Sequence, residues 1–166
     1  MLSKAEFSRR EWMLAMMASG LSLRQLSLSA QTSSKVSANK LSMPGLAPGR
    51  VVAVSHPGSI IEGKFQEKPI QKMIEEGMVD LTEAPDLIAA WRVFFEPGDV
   101  VGIKVNPVGG PHVVSSPEVV REIIRGLESA GVRRKDIVVY DRYRQEFLNV
   151  GFQKWLPDGV RWMNAA

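Results

Sequence analysis

The sequence predicts an α/β domain over residues 50–166, with a mostly parallel sheet, helical crossovers and three layers. Three observations carry that reading. Short β-branched runs and longer segments of helical periodicity follow one another in the order strand, helices, strand, helix, strand. The first strand run, Val51 to Val54, is continuously apolar, as in a strand buried on both faces. The helical segments begin and end on residues suited to capping. The sheet is expected to be incomplete, because three or four parallel strands leave an unpaired edge, and the chain is accordingly expected to be the N-terminal part of a longer protein.

Each element has its own signal. Arg50 to Ser55, with Val51, Val52, Ala53 and Val54, is expected as a buried strand closed by His56-Pro57-Gly58. Residues 59–66 read as a loop. Pro69 to Glu76 carries Ile70, Met73 and Ile74 at helical spacing, with Gly77 as the stop. A second helix is expected from Pro85 to Phe95, burying Leu87, Ile88, Trp91, Phe94 and Phe95. Pro97-Gly98-Asp99 turns the chain into a strand over Val100 to Val105, followed by a loop over 106–116. Ser116, Pro117 and Glu118 cap and open the next helix, whose buried face is Val119, Val120, Ile123, Ile124, Leu127 and Ala130, with Gly131 as a left-handed stop. Ile137 to Tyr140 is a third strand ending at Asp141, Arg142 to Val150 a further helix, and Val160 to Met163 the start of another strand. Trp155 and Trp162 fall in this last, less patterned part.

Composition narrows the function classes. The pI of about 9.3 invites a nucleic-acid reading, but the charge is not spread that way. Lys4, Arg9, Arg10 and Arg24 against Glu6 and Glu11 give the first 30 residues a net +2 of the whole chain's +3. The one tight cationic cluster, Arg133-Arg134-Lys135, reads as a solvated turn, so no nucleic-acid partner is expected. The chain has no cysteine, which removes disulfides, thiolate nucleophiles and cysteine-ligated iron–sulfur clusters. No apolar run reaches the roughly 18 residues that span a bilayer.

Ser8-Arg9-Arg10-Glu11-Trp12-Met13-Leu14 precedes a mildly apolar stretch, Trp12 to Leu23, and then small residues. This resembles the bacterial twin-arginine export signal, with Trp12 and the weak apolar region as departures from it. The resemblance implies a signal peptide over 1–30 carrying Arg9 and Arg10, the twin-arginine export machinery as partner, and a periplasmic or extracellular destination. Cleavage after Ala30 or after Ala38 both fit. The competing reading is an amphipathic N-terminal helix with adjacent arginines. Residues 31–49, rich in Ser, Ala, Gly and Pro, read as a flexible linker.

Pro97-Gly98-Asp99-Val100-Val101-Gly102-Ile103-Lys104-Val105-Asn106, followed by Ser116-Pro117-Glu118-Val119-Val120 and Ile137-Val138-Val139-Tyr140-Asp141, resembles the domain-of-unknown-function 362 family across about residues 50–151. The Gly109-Gly110-Pro111 loop departs from its pattern. The resemblance implies an α/β fold without a defined activity. An iron–sulfur segment attached in some members does not carry over to a chain without cysteine.

In open α/β sheets, ligands bind beyond the carboxyl ends of the strands. His56, Asn106, His112 and Asp141 fall at such ends. If the strands are neighbours, His56, His112 and Asp141 converge as a transition-metal or proton-transfer set; otherwise both histidines are loop residues with local hydrogen bonds. Lys104, inside an apolar strand and part of the family signature, either reaches the ligand edge or pairs with an acid. Asn106, ahead of Pro107, shapes the turn or binds ligand. The loop over 109–116 enters a helix N-terminus, where Ser115 and Ser116 offer an anion site or ordinary capping. The expected function is an exported α/β protein holding a small anion or metal at the sheet's carboxyl edge. The alternatives are a non-catalytic periplasmic binding or assembly module and a fragment without independent activity. Neither a reaction nor a cofactor follows from these residues.

Overall fold

The computed structural model describes residues 45–165. The expected export signal with Arg9 and Arg10, and residues 31–44 of the expected linker, lie outside the described residues. No helix among the described residues is long and apolar enough to cross a membrane.

The fold is α/β. In chain order the elements are β1 (Ile60–Ile61), β2 (Lys64–Phe65), α1 (Glu67–Thr82), α2 (Leu87–Arg92), β3 (Val101–Lys104), α3 (Pro117–Ala130), β4 (Ile137–Asp141), α4 (Arg144–Val150) and β5 (Arg161–Asn164), with short 3₁₀ turns at Arg134–Asp136 and Phe152–Lys154. β3, β4 and β5 form a parallel sheet in that order, with β4 in the middle. The register sets Ile103 beside Val139 and Val139 beside Trp162. Helices connect the parallel strands, since β3 reaches β4 through α3 and β4 reaches β5 through α4.

The register also explains where the core lies. Residues paired across a parallel ladder point to the same face. Val101, Ile103, Ile137, Val139 and Trp162 all point into one apolar cluster with Val120, Ile124 and Leu127 of α3, Phe147 of α4 and Trp91 of α2. Phe147 stacks on Trp162, ring centroids 5.3 Å apart, and meets Phe152 at 5.1 Å. The opposite face carries Gly102, Lys104, Val138, Tyr140, Arg161 and Met163, none of them buried. The three-layer expectation is corrected here: the described helices pack on one face only, because only alternate strand residues join their cluster.

The first expected strand is also corrected. Arg50 to Ser55 is extended, and Val52 and Val54 are half-buried between exposed neighbours, but the segment joins no ladder among the described residues. It lies instead along α1, where a Cβ on Gly77 would touch Val54 at 3.4 Å. Arg50 donates to the Leu81 carbonyl at 3.2 Å and pairs with Glu83, closing the C-terminal end of α1. Gly77 does not stop the helix. The stripe Ile70, Ile74, Met78 continues past it, with Ile70 buried and Ile74 and Met78 half-buried, and α1 ends where Glu83 turns left-handed.

α2 is shorter than its periodicity suggests. Asp86 caps it by accepting from the Ala89 N–H at 2.8 Å. Residues 59–66, expected as a loop, contain the β1–β2 hairpin, whose turn places Glu62 and Gly63 at positive φ. α3 matches its sequence signals: Ser116 accepts from the Val119 N–H at 3.3 Å, Pro117 leads, and left-handed Gly131 donates back to the last turn. Its face toward α1 and α2 is built on Gly126, against which the Trp91 indole packs so closely that a Cβ there would overlap the ring. Two of the three cations in the cluster are paired in place, Arg133 with Asp136 and Arg134 with Glu128, each at 2.6 Å.

Candidate functional site

The carboxyl ends of β3 and β4 bring two of the predicted residues together. Asp141, 3% exposed, ends the central strand, and Lys104, 51% exposed, ends its neighbour; their side chains form an ion pair across the rim. Lys104 also donates to the Val105 carbonyl at 2.7 Å. Asp141 accepts the Tyr143 N–H at 3.1 Å, which turns the chain into α4. Burial opposes the charge on Asp141. The Lys104 ammonium and the N–H groups of Tyr143 and Arg142 outweigh that cost and hold the carboxyl below its ordinary range. Of the two expectations for Lys104, pairing with an acid is the one the geometry realises.

Asn106 and Ser115 close the loop between β3 and α3. The Asn106 N–H donates to Ser115 Oγ at 2.9 Å, and the Ser115 N–H donates to the Asn106 carbonyl at 3.0 Å. Asn106 Oδ1 accepts the Val108 N–H at 3.3 Å, the turn-shaping role its place before proline suggests. Inside the loop, Gly109 bridges Val113, leaving no room for a Cβ at Gly109. His112 stands exposed on this loop. Ser116 Oγ, besides capping α3, donates to Glu118 at 2.8 Å. The α3 N-terminus is therefore served by the chain's own hydroxyl and carboxylate.

His56 takes the local alternative. Its Nδ1 accepts the Gly58 N–H at 3.0 Å, and residues 50–55, which lead into it, are not part of the sheet. Among the described residues, no three His, Asp or Glu side chains come together in a group that could hold a metal. The convergence of His56, His112 and Asp141 as metal ligands is thus corrected.

What the loop builds is a groove of about 640 Å³. His112, Ser115 and Ser116 line it from the β3–α3 side, and Lys64 and Phe65 from the β1–β2 hairpin. Phe152 and Trp155, which meet edge to face at 5.3 Å, line it from the segment after α4. No local sequence signal marks Lys64, Phe65 or Trp155 as site residues. Only the hairpin, itself read as loop, and the tertiary placement of the segment after α4 bring them here.

No protein-family model, curated protein or solved structure matches the chain.

A second polar cluster lies away from the rim, between α1 and α3. Glu122, 5% exposed, pairs with Arg125, which also reaches Glu67 at 2.6 Å. Burial raises the Glu122 carboxyl above its ordinary range; Arg125 opposes the rise, and Glu67 and Glu75 add to it. A carboxyl raised on folding stabilises below its unfolded pKa and loses that contribution as pH climbs through the folded value. Asp141 has the opposite sign.

Proposed function

We propose that the chain is an exported protein of the domain-of-unknown-function 362 type that binds a small anion beside the carboxyl edge of its sheet. The observation that supports this is the groove in which His112, Ser115 and Ser116 meet Lys64. Ser115 Oγ accepts from Asn106, so its hydroxyl proton is the donor it offers to a ligand. Lys64 supplies positive charge from the hairpin, and the His112 ring supplies a further donor. Lys104 is the less suited cation, because Asp141 already holds it. The arrangement has the parts of a recognition site; no reaction is assigned to it.

Titrating the ¹⁵N-labelled chain with inorganic phosphate tests the reading. Saturable amide shifts confined to residues 63–65 and 112–116, lost in His112→Ala, are expected. Shifts absent, or scattered evenly over the surface, would falsify the proposal.

A further inference from the structure

We infer that the ligand of this groove is a small organic acid with an aromatic body rather than a bare inorganic anion; the inference rests on the anion-binding reading above. Size is the first ground. About 640 Å³ is far more than phosphate fills and lies within the roughly 300–1,000 Å³ typical of organic-ligand sites.

The walls are the second ground. Phe65, Val114, Val150, Phe152 and Trp155 line the groove. Phe65 is 48% exposed although it sits on a short hairpin that also exposes Ile60 and Ile61. An aromatic ring left half in water beside a groove gains from covering by an apolar body, and an aromatic body adds ring-to-ring contact.

Charge is the third ground. Among the described residues, Glu118 is the one carboxylate on the groove, and it is already engaged by the Ser116 hydroxyl at 2.8 Å and by Arg121 at 3.6 Å. Lys64 makes no ion pair among the described residues. Among the described residues the uncompensated charge of the groove is therefore positive, and it complements an acid. Apolar walls with a cation at the lip select a molecule that has both parts.

Calorimetric titration of the whole chain with 2-naphthoate, 2-naphthalenemethanol and inorganic phosphate separates the possibilities. Naphthoate is expected to bind about tenfold or more tighter than either phosphate or the uncharged alcohol. Lys64→Ala and His112→Ala each weaken naphthoate several-fold. Phe65→Ala weakens naphthoate and leaves phosphate unchanged. All three positions are exposed, and circular dichroism checks that each variant is folded. Phosphate binding as tightly as naphthoate would overturn this inference and leave the anion reading standing. Alcohol binding as tightly as naphthoate, or naphthoate binding untouched by the Lys64 and His112 variants, would overturn both, as would no binding at all.

Discussion

Asp141 concentrates more structural duties than any other polar side chain at the rim. It terminates the central strand, receives Lys104 from β3 and takes the Tyr143 N–H that redirects the chain toward α4. Replacing it with alanine leaves those donors without their acceptor. Asp141→Ala is expected to cost roughly 2 kcal/mol at neutral pH, read from the urea midpoint. The pH dependence has a definite sign. A carboxyl depressed on folding contributes stability above its unfolded pKa and loses it as pH falls through the folded value, so the gap between wild type and variant should narrow in acid. A gap that widened toward low pH would mean that Asp141 is not the charged partner described here. The sequence marked Lys104 and Asp141 separately as strand-end residues, but their pairing depends on β3 and β4 being neighbours in register, a fact of the ladder and not of either segment.

At the scale of elements, α3 shows why some segments can be read directly and others cannot. Its cap, its leading proline and its left-handed stop are all local and lie where the sequence put them; of its expected buried face, Val119 alone is exposed. Gly77 and Gly126 are the contrast. Gly77 looks like a stop but lies within α1 beside Val54; Gly126 looks like a weak point in a helix but is the contact that lets Trp91 and α2 approach α3. Gly126→Ala would improve helix propensity while forcing the indole out of its seat. The second effect should win by roughly 1–3 kcal/mol, seen as a lower melting temperature and a changed near-ultraviolet Trp signal. A rise in melting temperature would show that α2 has room to move aside. The Arg50–Ser55 segment makes the same point from the other side. Its β-branched composition suits a strand, yet a strand is made by a ladder, and here the segment runs along a helix.

For the described residues, one cluster joins the sheet to every α-helix, while the second sheet face carries no buried residue. That asymmetry separates the observed two layers from the expected three. Compartment is also a property of the whole chain, and in the proposed export reading it rests on Arg9 and Arg10, outside the described residues. If the twin-arginine resemblance is functional, replacing both with lysine should trap the protein in the bacterial cytoplasm, checked by fractionation and immunoblotting. Unchanged export of that variant would leave the amphipathic-helix alternative in its place.

Local chemistry along the chain determined the α/β class, the capped helix over 117–130, the turn-bounded strands at 101 and 137, and the placing of Asp141 at a strand end. These depend on neighbours within about four residues, which periodicity and capping report. Tertiary structure alone decided which strands pair, that His56, His112 and Asp141 form no common group, and that Lys64, Phe65 and Trp155 share a groove with His112. Those outcomes depend on register and on how helices stack against a sheet, and pairings between residues so far apart in sequence leave no periodic trace in either partner.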